Sequence, residues 1–69
     1  MTEKNKEILR ELAAKSGCRK DKMIADKIGM DPATFSRKLS GKSSFTIPEI
    51  KLMMEAFSIK RETAALLFL

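Results

Sequence analysis

Apolar residues recur along this chain in short bursts at helical spacing, each closed by a glycine or a polar turn. Ile8, Leu9, Leu12 and Ala13 fall at i, i+1, i+4 and i+5, which marks one side of a helix. Thr2 or Asn5 can cap it, and it runs to about Ser16, with Glu11 and Lys15 as an i,i+4 pair on its outside. Gly17 ends this helix, and Cys18-Arg19-Lys20 makes a short connection. Lys20 or Asp21 then starts a second helix, in which Ile24 and Ile28 share a face and Ala25 is small enough to let another helix cross closely. Gly29 follows the last apolar residue, where a chain leaving a helix needs the left-handed conformation that glycine adopts cheaply. Asp31 can cap a third helix by accepting from its unpaired N–H groups, and Pro32 suits the first helical position, where no donor is missed. Phe35 and Leu39, again four apart, give that helix its inward stripe.

The sharpest local signal comes later. Thr46 and Glu49 make a capping box, Phe45 and Ile50 a hydrophobic staple around it, and Pro48 in the first turn costs no hydrogen bond. A helix therefore begins at Ile47 and runs to about Phe57, with Ile50, Met53, Met54 and Phe57 facing inward and the methionines filling gaps. The segment from Lys60 starts charged and ends in AALLFL. Part of Leu66, Leu67, Phe68 and Leu69 should close the core against the first helix. The rest would form an apolar patch for a second subunit, unless the core consumes them all. The periodicity predicts an all-α fold of five short helices, one domain over residues 1–69, with a central helix pair at about 21–40.

Size and composition narrow the possible functions. A chain of 69 residues buries only ~60% of its unfolded surface, so its stability must come from close helix packing or from dimerisation. The single Cys18 cannot form an intramolecular disulfide, which fits a reducing cytosol, and it is expected half-buried between helices. No apolar run approaches the ~20 residues of a membrane span, and the charged N-terminus does not read as a signal peptide. A cytoplasmic protein without membrane contact is expected. Histidine is absent and there is one cysteine, so little is left for metal binding or nucleophilic catalysis. No enzyme activity, metal, cofactor or small-molecule substrate is expected.

Charge points further. From Lys15 to Lys42 there are eight cations (Lys15, Arg19, Lys20, Lys22, Lys27, Arg37, Lys38, Lys42) against Asp21, Asp26 and Asp31. The rest of the chain holds six of each sign, so the whole net charge of +5 falls on the segment that contains the central helix pair. Lysines often merely solubilise a helical surface; a basic patch on one motif instead attracts a phosphate backbone. The outward residues of the third helix, Ala33, Thr34, Ser36, Arg37 and Ser40, are small, hydrogen-bonding or cationic. Such a surface suits the major groove of DNA.

The stretch IADKIGMDPATFSRKLSGK resembles the helix-turn-helix of the phage repressor and Cro family. Ala25 matches the family's small residue four before the turn glycine, Gly29 that glycine, and Met30 and Phe35 the apolar positions one and six after it; Gly41 matches the glycine that closes the recognition helix. The continuation GKSSFTIPEIKLMMEAFSI looks like the family's next loop and helix, so the likeness spans roughly Ile8 to Ile59. Two positions depart: Asp21 stands where a DNA-gripping glutamine is frequent, and Lys38 where an apolar residue is usual, with Leu39 taking over its packing. The resemblance implies a lambda-repressor-like fold and a transcription regulator of phage or prophage type. It would bind a palindromic double-stranded operator as a homodimer, paired through the C-terminal region.

Within that expectation Arg37 is the base-reading candidate, since a guanidinium can bond two acceptors of guanine; a phosphate contact or a salt bridge to Asp31 or Asp26 is the alternative. Ala33 can touch a thymine methyl, and Thr34 or Ser36 can bond a base or a phosphate. Phosphate contacts are expected from the start of the second helix (Lys20, Asp21, Lys22), from Lys38 and Ser40, and from the loop residues Lys42, Ser43 and Ser44. Asp21 opposes an anion there unless it serves as an N-cap. The rival is a protein-binding antirepressor or accessory subunit on the same fold.

Overall fold

The computed structural model describes residues 1–68. Five helices and no strand form among them: α1 (Glu3–Lys15), α2 (Asp21–Lys27), α3 (Pro32–Leu39), α4 (Ile47–Phe57) and α5 (Arg61–Phe68). Their boundaries follow local chemistry. Thr2 caps α1 by accepting from the Asn5 N–H at 3.1 Å. Asp31 caps α3 through one carboxylate oxygen, which accepts from the Ala33 N–H at 3.0 Å and the Thr34 N–H at 3.2 Å. Thr46 and Glu49 form the full capping box of α4. The α2–α3 turn rests on Gly29 at φ 70°, which lets the Met30 N–H reach back to the Ala25 carbonyl at 2.8 Å. Gly41 at φ 88° does the same after α3, where the Lys42 N–H reaches the Arg37 carbonyl at 3.0 Å. At the end of α4 this left-handed position is filled by Ser58, φ 53°, a conformation a serine holds at some cost.

One core joins all five helices. Its largest fully buried side chains are Leu9, Ile24, Phe35 and Met53, one each from α1 to α4, and Ala64 and Leu67 add α5. No polar or charged residue among the described ones is buried. Burial of each large apolar side chain contributes roughly 1.5–3 kcal/mol, which a chain with a single cysteine draws on in place of an internal disulfide. Cys18 is buried rather than half-buried, at the junction between α1 and α2.

The helices sort into two groups. α3 packs chiefly on α2, whereas α1, α4 and α5 pack on one another. Aromatic rings join the groups: Phe45, expected to staple Ile50, sits edge-to-face with Phe35 at 5.9 Å and with Phe68 at 5.3 Å. Among the described residues the ion pairs are Glu3–Lys6, Arg10–Asp21 and Lys38–Glu49. The expected Glu11–Lys15 pair does not form; an exposed pair of long side chains gains little over the entropy lost in ordering it.

The C-terminal segment divides its apolar residues. Leu67 is 4% exposed and belongs to the core, so it is not free for a partner subunit as the sequence allowed. Phe68 is half-buried on Phe45. Leu66 is 78% exposed, while its carbonyl accepts from the Asn5 side chain at 3.2 Å and ties α5 to α1. Leu69 lies outside the described residues. No helix among them is long and apolar enough to cross a membrane.

Candidate functional site

With Phe35 and Leu39 buried, α3 turns Ala33, Ser36, Arg37 and Ser40 to solvent. These stand at i, i+3, i+4 and i+7, so they line one exposed face of the helix. Thr34 is half-buried at its edge, and its hydroxyl accepts from the Arg37 guanidinium at 3.3 Å. Arg37 forms no ion pair with Asp31 or Asp26. Asp31 is occupied by the helix cap, and its carboxylate there offsets the positive end of the α3 dipole. The Ser40 hydroxyl donates to the Arg37 carbonyl at 2.9 Å, which leaves its oxygen able to accept.

At the start of α2, Lys20 is the N-cap residue and no side chain caps the helix. Lys20 and Lys22 are exposed on either side of Asp21. Asp21 is not the N-cap, and its carboxylate does not face outward alone. Arg10 donates to it twice, through Nε at 3.0 Å and a terminal nitrogen at 2.9 Å. The hydrogen bond to Asp21 also holds the Arg10 guanidinium more firmly protonated. Asp21 therefore offers an anion only its backbone N–H, while Arg10 cancels the charge that would repel one. Sequence reasoning missed Arg10, because its partner lies eleven positions away with no periodic relation to it.

Lys38 also differs from expectation. Its ammonium turns away from the exposed face and donates to both oxygens of Glu49, at 2.5 and 2.8 Å. Its side chain is 11% exposed, so the ammonium expected to meet a phosphate is instead engaged with an acid of α4. Glu49 meanwhile accepts from the Thr46 N–H at 2.8 Å. Burial pushes its carboxyl up, but the Lys38 and Thr46 hydrogen bonds outweigh that and hold it below the ordinary glutamate range.

Lys42, Ser43 and Ser44 are exposed in the loop beyond α3. The structure thus brings Ala33, Ser36, Arg37 and Ser40 onto one face, with Thr34 beside them, and turns Lys38 and the Asp21 carboxylate to structural work. Lys15, Arg19, Lys20, Lys22, Lys27, Arg37 and Lys42 remain as exposed cations of the basic segment without a carboxylate partner among the described residues. The exposed face of α3 thus combines hydroxyl groups with one guanidinium, and both kinds of group can hydrogen-bond an anionic or polar partner.

Set against known protein families, curated proteins and solved structures, the chain matches none of them.

Proposed function

We propose that this chain is a sequence-specific DNA-binding transcription regulator of the phage Cro or repressor type, with a lambda-repressor-like fold. α2 and α3 act as its helix-turn-helix, and α3 lies in the major groove. The observation that carries this reading is the face of α3: Ala33, Ser36 and Arg37 stand together, exposed, with no acid paired to the guanidinium. Arg37 reads guanine, the Ala33 methyl meets a thymine methyl, and Ser36 or the edge residue Thr34 bonds a base or a phosphate. Lys20 and Lys22 at the open start of α2, with Ser40, Lys42, Ser43 and Ser44 beyond α3, hold the phosphate backbone.

Two copies would place their α3 helices in successive major grooves, ~34 Å apart on a palindromic site. The exposed Leu66 and the neighbouring Ala65 offer an apolar patch for that pairing. Regulation then needs no chemistry: a bound dimer excludes a competitor from the same DNA.

Selection of tight binders from random duplex DNA, at two salt concentrations, tests the reading. Recovery of a palindrome with half-sites about one helical turn apart is the expected result. Weak binding that ignores sequence and vanishes with salt would reduce the basic segment to generic electrostatics. A protein-binding antirepressor or accessory subunit on the same fold would then take its place.

A further inference from the structure

Helix α3 carries the exposed face, yet most of its packing is on α2. What fixes this pair of helices against α1, α4 and α5 therefore fixes where Arg37 points. Among the described residues, two ion pairs cross that boundary. Arg10–Asp21 joins α1 to α2, with side chains 46% and 45% exposed. Lys38–Glu49 joins α3 to α4, with side chains 11% and 23% exposed. The remaining pair, Glu3–Lys6, is local to α1.

The α3–α4 pair is built differently from a surface salt bridge. Glu49 is already held by the α4 capping box: it accepts from the Thr46 N–H at 2.8 Å, and its own N–H donates to the Thr46 hydroxyl at 3.3 Å. Its carboxylate is thus fixed on α4 before Lys38 meets it, and Lys38 donates to both of its oxygens. An apolar residue at position 38 would pack at this interface without desolvating two charges, and a sheltered ion pair adds little net stability. What it does add is a fixed separation, since charge-assisted hydrogen bonds are short and the ammonium engages both oxygens of a carboxylate already held by its cap. Lys38 is also the residue next to Arg37, so a small roll or slide of α3 at position 38 reappears at the guanidinium. Recognition geometry has to be held within roughly 0.5 Å and 10–20° by supporting groups such as these.

We propose that Lys38 and Glu49 are positioning residues: they lock α3 at one angle to α4 and thereby set sequence discrimination by Arg37, without touching DNA themselves. The proposal rests on the DNA-binding reading above and adds to it the device that aims the reading helix.

The test uses the full chain and the operator recovered by selection. Three single variants and one double are compared with the wild type after each is shown to be folded by its cooperative unfolding transition. Lys38→Met keeps an unbranched side chain, one atom shorter, and removes the charge; Glu49→Gln keeps a capping box, which glutamine also supports; Lys38→Arg keeps the cation. The readouts are the ratio of affinities for operator and random DNA, its salt dependence, and the α3–α4 angle from residual dipolar couplings.

Lys38→Met and Glu49→Gln should each lower the ratio about tenfold and shift the angle. The double variant should be no worse than the worse single, Lys38→Arg should stay close to wild type, and the salt slope should not change. If Lys38→Met instead lowers the slope by about 0.9, Lys38 is a phosphate contact and the proposal falls. An unchanged ratio, or an unchanged angle, in both folded single variants also overturns it, and leaves DNA binding by the wild type intact. Failure of the wild type to discriminate any duplex sinks the DNA-binding reading itself, and the positioning role with it.

Discussion

Helices α3 and α5 have the same length, eight residues each, and each buries two side chains, Phe35 and Leu39 in one, Ala64 and Leu67 in the other. Their outer faces are opposite in kind. α3 shows solvent a hydroxyl-bearing and cationic row, whereas α5 shows Ala65 and Leu66, the latter 78% exposed. They are also held differently. α3 has a carboxylate cap and Pro32 at its start, the left-handed Gly41 after its end, and the Lys38–Glu49 pair at its side. α5 is held by apolar packing and by the Asn5 bond to the Leu66 carbonyl. On the proposed reading, a helix that reads a polar partner needs its side chains at fixed places, which directional bonds at its ends and side would supply. A helix that meets an apolar partner needs only a surface of the right shape.

The sharpest way to break this comparison is through the core. Phe35→Ala should cost ~3–5 kcal/mol and Leu67→Ala ~2–5 kcal/mol in chemical denaturation. Either is a large share of the roughly 5–15 kcal/mol that a native domain holds. A smaller loss at Phe35 than at Leu67 would show α3 to be less anchored than α5, reversing the contrast. On the outer face, Arg37→Ala should leave the unfolding midpoint unchanged, cost ~1–3 kcal/mol of operator binding and relax preference at one base pair. An equal loss on every sequence would remove Arg37 from base reading. Lys42→Ala should weaken all sequences alike and flatten the salt dependence, as measured by titration at several ionic strengths.

Smaller effects belong to the pins themselves. Asp31→Ala should lower stability by ~1 kcal/mol, because the Ala33 and Thr34 N–H groups lose their acceptor. Glu49 makes the α3–α4 link sensitive to acid. A carboxyl held lower in the folded chain stabilises it fully above its unfolded pKa, and that contribution is lost as pH falls through the folded value. The gap in unfolding midpoint between wild type and Glu49→Gln should therefore be constant near neutrality and shrink below about pH 4. Leu66→Ser is expected to change monomer stability by less than ~0.5 kcal/mol, yet to shift sedimentation toward monomer. Unaltered sedimentation would leave α5 without its role in pairing.

The helix boundaries were legible because each is decided within a few residues. Thr2, Asp31 and Thr46 act on N–H groups two or three positions ahead, and Gly29 and Gly41 act on carbonyls just behind. The inward residues Ile24, Ile28, Phe35, Leu39, Ile50, Met53 and Phe57 were legible too, since i,i+4 spacing selects a face before any partner helix exists. The exposed row of α3 follows as the complement of that face. By contrast, Asp21 and Lys38 have partners, namely Arg10 and Glu49, that were not foreseen. Each is a charged residue in a basic segment, and nothing within a helical turn distinguishes a phosphate contact from a pair to another helix.

What the sequence alone determined is therefore the helical class, the caps of α1, α3 and α4, the core faces of α1 to α4 and the charge imbalance of the segment from Lys15 to Lys42. The tertiary structure decided which charges are spent inside the molecule: Arg10 on Asp21 and Lys38 on Glu49, both eleven residues apart. It also decided that Leu67 packs inward while Leu66 faces out. The physical reason is range: capping and periodicity act within a turn or two of one helix, whereas ion pairs between helices exist only after the core has set the distance and angle between them.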